Sequence, residues 1–159
     1  MKKFNLHIPY IPRGTEFSEF FKKIVIIFDP TYSGDGDTIE EPENGQIVLK
    51  FGPTAFSSIG WLGSSIDHEI CHVNQIFGFN CAGRKGGYGG TTHYYTTPRK
   101  FSLLAQGGAL NEVEAYDFEL SLVDYFGLTN AEVLKLEEGR TYYLNALNET
   151  NLQLALQHN

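Results

Sequence analysis

Ser57-Ser58-Ile59-Gly60-Trp61-Leu62-Gly63-Ser64-Ser65-Ile66-Asp67-His68-Glu69-Ile70-Cys71-His72-Val73-Asn74-Gln75-Ile76-Phe77 is the stretch on which the reading of this chain turns. Ile59, Leu62, Ile66, Ile70, Val73 and Phe77 recur at steps of three and four, the spacing that lines one face of an α-helix. At about 100° per residue, Trp61, Ser65, His68, His72 and Gln75 project together on the opposite side, with Glu69 on the flank between the two faces. Gly60 and Gly63 lower the helix propensity of the first turns by up to about 1 kcal/mol each relative to Ala, so close packing against a neighbour is expected to hold them helical.

Within that helix, His68-Glu69-Ile70-Cys71-His72 is an HExxH sequence. Histidines four apart on a helix are neighbours on one face, so both imidazoles reach one ion at about 2.0 to 2.1 Å. Glu69, one residue further on, points beside that ion, where its carboxylate accepts a proton from an activated water. Zinc is the expected metal. It lowers the pKa of a water it holds from about 15.7 toward about 7 and polarises a carbonyl, which makes amide hydrolysis feasible at neutral pH.

A catalytic zinc takes three protein ligands and leaves one position open. The longer metzincin pattern needs Gly at position 75 and His or Asp at position 78; Gln75 and Gly78 stand there, so the third ligand comes from elsewhere. Asn111-Glu112-Val113-Glu114-Ala115-Tyr116 opens a second helical pattern, Asn111 to Phe126, and its two glutamates point about 200° apart. Asn111 suits the N-cap with Glu114 as reciprocal partner, a variant of the capping box, which leaves Glu112 without a structural task. Glu112 is therefore the favoured ligand and Glu114 the alternative, with Tyr116 one turn beyond Glu112 to support the centre from behind. The donor for the oxyanion of a tetrahedral intermediate is sought among His93, Tyr94, Tyr95 and Tyr116. His93 is the first choice, because its polar, Gly-flanked segment offers it little core to pack in.

Outside these segments, Ile24 to Phe28 is an unbroken apolar run between Lys22-Lys23 and Asp29-Pro30 and predicts a buried strand. Thr31 to Gly45, with Gly34, Gly36, Pro42 and five acidic residues, predicts a loop. Gln46 to Phe51 alternates Ile47, Leu49 and Phe51 with Val48 and Lys50 and predicts a second strand, closed by Gly52-Pro53. Asn80 to Gly90 holds five glycines and reads as a flexible loop or wide turn, and Thr91 to Thr97 as extended chain. A third helix opens with the Thr129 and Glu132 capping pair and continues through Val133, Leu136, Tyr143, Leu144 and Leu147. The expected architecture is one α+β domain over residues 1–159: a small N-terminal sheet, the HExxH helix, and a glutamate-bearing helix across a cleft.

Composition sets the outer limits. A chain of 159 residues buries a core without staples, and 42% hydrophobic against 19% charged residues excludes a disordered chain. The net charge of -7, with no basic cluster longer than Lys22-Lys23, argues against nucleic acid as a partner. No apolar run approaches the about 20 residues that cross a bilayer. Met1-Lys2-Lys3 leads into Asn5, His7 and Pro9 rather than an apolar signal region, so the chain is expected in the cytoplasm of its producer unless a larger polypeptide carries it out. Two cysteines, Cys71 and Cys81, are too few for a disulfide framework; a reduced compartment is expected, with Cys71 a small buried filler.

Phe56-Ser57-Ser58 through Trp61-Leu62, His68 through Gln75, and Leu110 through Tyr116 together resemble the zincin metallopeptidase toxin domains found at the C-termini of bacterial polymorphic and Rhs-type toxins. The resemblance spans Gln46 to Phe126. HExxH marks the zincin clan, and Asn-Glu-x-Glu-Ala-Tyr fits the branch with a glutamate third ligand. The chain departs from neprilysin-like relatives at Tyr116, which stands where their ExxAD motif has the Asp that orients a ligand histidine. The resemblance implies a zincin-like fold, cleavage of a host or competitor protein, delivery within a larger polypeptide, and a cognate immunity protein that covers the cleft. In zincins an edge strand lines the cleft and pairs with extended substrate; Gln46 to Phe51 and Thr91 to Thr97 are the candidates here. Two rival readings stay open, a hydrolase of a small amide or cell-wall peptide and a zinc-binding interaction or immunity module without turnover.

Overall fold

Three strands and four α-helices follow one another among the residues that the computed structural model describes, 24–41, 46–76, 81–82 and 100–157. His93, Tyr94, Tyr95 and the Thr91 to Thr97 segment lie outside them, as does most of the glycine-rich Asn80 to Gly90 stretch. The strands are β1 (Ile24–Phe28), β2 (Gly36–Glu41) and β3 (Gln46–Phe51), in the order β1-β3-β2. β3 is the centre of the sheet, parallel to β1 and antiparallel to β2. The expected α+β class with a small N-terminal sheet is what the chain adopts.

Two strand expectations need correction. β1 forms where the apolar run predicts a strand, but as an edge strand whose last three residues are exposed, Ile26 at 66% and Phe28 at 57%. An apolar run identifies the strand without saying which faces are covered. β2 lies inside the segment read as a loop. Ile39 is its one apolar residue, so no hydrophobic alternation announces it; the ladder to β3 holds it, with Asp37 paired opposite Lys50 and joined to it by a 3.1 Å salt bridge. The turn before it is legible chemistry: Pro30 follows Asp29, whose carboxylate accepts from the N–H and hydroxyl of Thr31.

The HExxH helix is α1 (Ile59–Ile76). Ser58 caps it by accepting the N–H of Trp61. Leu62, Ile66, Ile70 and Val73 pack on Ile47, Leu49 and Phe51 of β3, so the apolar stripe meets the apolar face of the sheet. Ile59, the first member of that stripe, misses the core and is 69% exposed. Gly60 and Gly63 do have the expected neighbour: a Cβ on Gly60 would lie 2.6 Å from the Phe126 carbonyl oxygen, and one on Gly63 2.8 Å from the Phe126 ring. Phe126 ends the short α3 (Val123–Phe126), which stops at Gly127 in the left-handed conformation, φ 63°.

The remaining helices are α2 (Lys100–Leu120) and α4 (Asn130–Gln157). Thr129 and Glu132 form the expected capping box of α4: Glu132 Oε2 accepts the Thr129 N–H and the Glu132 N–H donates to Thr129 Oγ1. The other oxygen of Glu132 accepts from Ser58, tying the starts of α1 and α4 together. α2 begins eleven residues before its expected start. Gly107-Gly108 reads as a break because each glycine costs about 1 kcal/mol in a helix interior, yet the helix runs through both. Asn111 and Glu114 are therefore mid-helix residues, and the capping box assigned to them does not exist.

Cys71 and Cys81 form a disulfide, both ends buried, which corrects the reading of Cys71 as an isolated filler. Cys81 lies beside the middle of α1, a juxtaposition that spacing alone does not reveal.

Candidate metal centre

His68 and His72 lie one turn apart on α1, their rings 4.8 Å apart at the centroids. Glu112 reaches them from α2: its Oε2 is 3.3 Å from His68 Nε2 and its Oε1 3.4 Å from His72 Nε2. One ligand atom from each of the three can be chosen so that all lie within 4.8 Å of one another, a group that could hold a metal ion. Two imidazole nitrogens and one carboxylate oxygen are a donor set suited to a divalent transition metal. The structure thus brings together the three favoured ligands. Glu114 is not among them; it points to the other side, where its carboxylate accepts from Gln75 Nε2 at 3.1 Å and from the Cys81 N–H at 3.3 Å.

The opposite nitrogens of the two rings are engaged in ways that leave each Nε2 facing Glu112. His68 Nδ1 bonds to Glu119 Oε2 at 2.7 Å, and His72 Nδ1 to Gln75 Oε1 at 2.8 Å. Both acceptors fix the tautomer with the proton on Nδ1, the form that presents a lone pair at Nε2. Each support is anchored in turn. Glu119 also accepts from Ser64 Oγ at 2.6 Å, and Gln75 Nε2 donates to the Asn111 carbonyl at 2.9 Å.

Glu119 is the residue of this cluster that the sequence did not single out. It stands seven positions after Glu112, two helical turns, and so shares its face; that spacing was the available signal. It takes the histidine-orienting place expected one turn earlier at Tyr116. Tyr116 instead packs its ring edge against His68, centroids 4.9 Å apart, and is pressed from behind by Gly139, where a Cβ would come within 2.7 Å of three of its atoms. Replacing Glu119 by Gln is expected to weaken zinc binding about 10- to 100-fold, measurable by competition with a chelating dye; an unchanged affinity would remove Glu119 from the centre.

Glu69 lies beside the three ligands, almost wholly buried. Thr38 of β2 donates its hydroxyl to Glu69 Oε2 at 2.6 Å, and Gly36 gives the carboxylate room, since a Cβ there would collide with Glu69 Oε1, Cγ and Cδ. Burial raises the Glu69 pKa, against the opposing pull of His68, His72 and the Thr38 bond. A carboxylate so placed is a better proton acceptor than an exposed one.

The remaining walls complete a cleft of about 620 Å³ that includes β2 residues Gly36 and Thr38 on one side and Glu112 and Asn111 of α2 on the other. Tyr143 of α4, read from the sequence as part of an apolar stripe, also lines it. Burial first, then Glu112, raises the phenol pKa of both Tyr143 and Tyr116, so both remain hydrogen-bond donors. Trp61 and Ser65, on the polar face of α1 in sequence, are buried in the wall of this cleft, with Trp61 Nε1 donating to Asp35 at 3.0 Å.

The charges of the centre give it a pH signature. Burial opposes the charged form of His68, but Glu112 and Glu119 outweigh it and raise its pKa to about 10; Glu112 is penalised by burial yet lowered to about 2 by the two histidines. In the metal-free protein the raised His68 value contributes stability that is fully present below about 6.5 and is lost as pH rises through about 10. The lowered Glu112 value contributes stability present above about 4.5 and lost as pH falls through about 2. A metal ion held by His68 Nε2 would compete with the proton there. The metal-free melting temperature is therefore expected to fall between pH 6.5 and 9 while the rise produced by zinc grows over the same interval; a zinc-induced rise that shrinks with pH would contradict this arrangement. No helix among the described residues is long and apolar enough to cross a membrane.

Comparisons with models of known families, with curated proteins and with solved structures found no match to this chain.

Proposed function

We propose that this protein is a zinc-dependent metallopeptidase of the zincin type with a glutamate third ligand. The observation that carries the reading is the convergence of His68, His72 and Glu112 beside a buried Glu69 at the wall of an open cleft. When bound, zinc supplies Lewis-acid polarisation of a carbonyl and acidification of water. His68 and His72 offer Nε2 because Glu119 and Gln75 hold their other nitrogens, and Glu112 adds the carboxylate. Glu69 takes the proton from the attacking water and returns it to the leaving amine. Thr38 keeps one Glu69 oxygen occupied, so proton transfer falls to the other. Tyr143 and Tyr116 are the described candidates to donate to a developing oxyanion, with His93 as a third outside the described residues.

The edge of the sheet supports an extended peptide as substrate. β3, one of the two strands expected to line the cleft, is the central strand with neighbours on both sides, so β2 takes that place. Gly52 donates to the Asp35 carbonyl, which sets the alternation: Asp35, Asp37 and Ile39 turn their backbone groups toward β3, and Gly36, Thr38 and Glu40 turn theirs outward. The Gly36 carbonyl accepts from the Tyr32 hydroxyl at 2.8 Å, so the open edge begins at Thr38. A peptide pairing there lies along the cleft above Glu69. The likeness to toxin domains makes a host or competitor protein the expected victim and a cognate immunity protein the expected partner.

The test is metal removal. Cleavage of a mixed pool of unfolded polypeptides should stop on chelation and return with one equivalent of zinc. Stoichiometric zinc without cleavage of any peptide, small amide or cell-wall peptide would favour the non-catalytic binding module instead.

A further inference from the structure

Asn111 stands one residue before Glu112 on α2 and lines the cleft. Its backbone is pinned, because its carbonyl accepts from the same Gln75 amide that orients His72. Its side chain is not: Oδ1 is buried and has no hydrogen-bond partner, the one buried side-chain polar atom so left among the described residues. A buried acceptor without a donor costs stability, and such an atom in a native chain calls for a partner, which a water, an ion or a bound ligand can supply. The cleft is open one turn away on the same helix. Gly108, one turn earlier on α2, also lines the cleft, and a Cβ there would meet nothing within 4 Å.

The chemistry of the missing partner follows from the opposite wall. An extended peptide presents its N–H groups alternately to its two edges. Those on one edge bond to β2; those on the other point away from it, toward α2. An amide oxygen accepts and cannot donate, so Asn111 Oδ1 complements an N–H and not a carbonyl. Resting on the peptidase reading, we propose that Asn111 is a substrate-positioning residue, whose side-chain oxygen accepts a backbone N–H of the bound peptide on the edge turned away from β2. The register of the peptide relative to Glu69 would then be held from both sides, by β2 and by Asn111.

The test combines one variant with a chemical scan of the substrate. Zinc-loaded wild type and Asn111→Leu are assayed on a cleaved peptide and on its single N-methylated derivatives, and both proteins are melted without substrate. Leu keeps the branching and heavy-atom count of the side chain and removes the orphaned acceptor. The expected result is a melting temperature equal to or above that of wild type, unchanged zinc content, KM raised about tenfold with kcat within about threefold, and one N-methyl position that harms wild type but not the variant. Asn111→Ala, read the same way, serves if the Leu variant does not fold. An active protein whose KM is unchanged by either substitution, or in which every N-methyl position harms wild type and variant equally, overturns this role while leaving the peptidase reading standing. A zinc-loaded wild type that cleaves no peptide overturns both.

Discussion

Glu69→Gln should bind zinc as wild type does and lose about 10²- to 10⁴-fold in turnover, the usual contribution of a general base. Among the described residues the Glu69 carboxylate has its hydrogen bond from Thr38 and not from His68, His72 or Glu112. Gln preserves the shape that fits against Gly36, where no Cβ is tolerated, and it removes the ability to carry a proton. The burial that raises the Glu69 pKa penalises the charged carboxylate, so the substitution should also leave the melting temperature equal to or higher than that of wild type. Activity, zinc content and melting temperature measured on one preparation separate a base from a ligand. Loss of zinc in Glu69→Gln would make it a ligand, and undiminished turnover would remove it from the chemistry.

Substituting the two neighbouring glutamates should have opposite consequences. Glu112→Ala removes one of three ligands and should weaken zinc binding more than about 100-fold, beyond the effect of outer residues, with activity lost in proportion. It also leaves two partly buried histidines facing each other without their shared carboxylate. Glu114→Ala should retain zinc and lose about 1 to 3 kcal/mol of stability, because Gln75 Nε2 and the Cys81 N–H lose their acceptor. Any effect of Glu114 on the metal would pass through Gln75 to His72 and be smaller. Equal zinc loss in both variants would contradict the geometry.

The legible parts of this chain are those whose signals are local. The period of Leu62, Ile66, Ile70 and Val73 specifies a helix and the face that meets the sheet. The spacing of His68 and His72 specifies a shared face, and the Thr129 and Glu132 pair marks where α4 begins. The structure groups Glu112, not Glu114, with the two histidines, but not for the reason the sequence offers. Glu114 has a structural role, as argued, but it is to hold Gln75 and Cys81 and not to cap a helix that in fact starts at Lys100.

What stayed hidden depends on partners distant in sequence. β2 carries one apolar residue and exists because β3 offers it a ladder. Gln75 and Trp61 look like solvent-facing members of a polar helix face, yet both are buried, one supporting a ligand and the other lining the cleft. Tyr143 fits an apolar stripe as well as it fits a cleft wall, and only the packing of α4 decides. Glu119, seven positions after Glu112 and so on the same helical face, is legible in the sequence only once Glu112 is taken as the reference point.

The most direct test of the account is the X-ray absorption spectrum of the zinc-loaded protein. One zinc per chain, with two imidazole nitrogens and oxygen neighbours at about 2.0 to 2.2 Å and no sulfur, is the predicted result. Sulfur in the coordination shell, a single imidazole, or less than stoichiometric zinc would contradict a centre built from His68, His72 and Glu112.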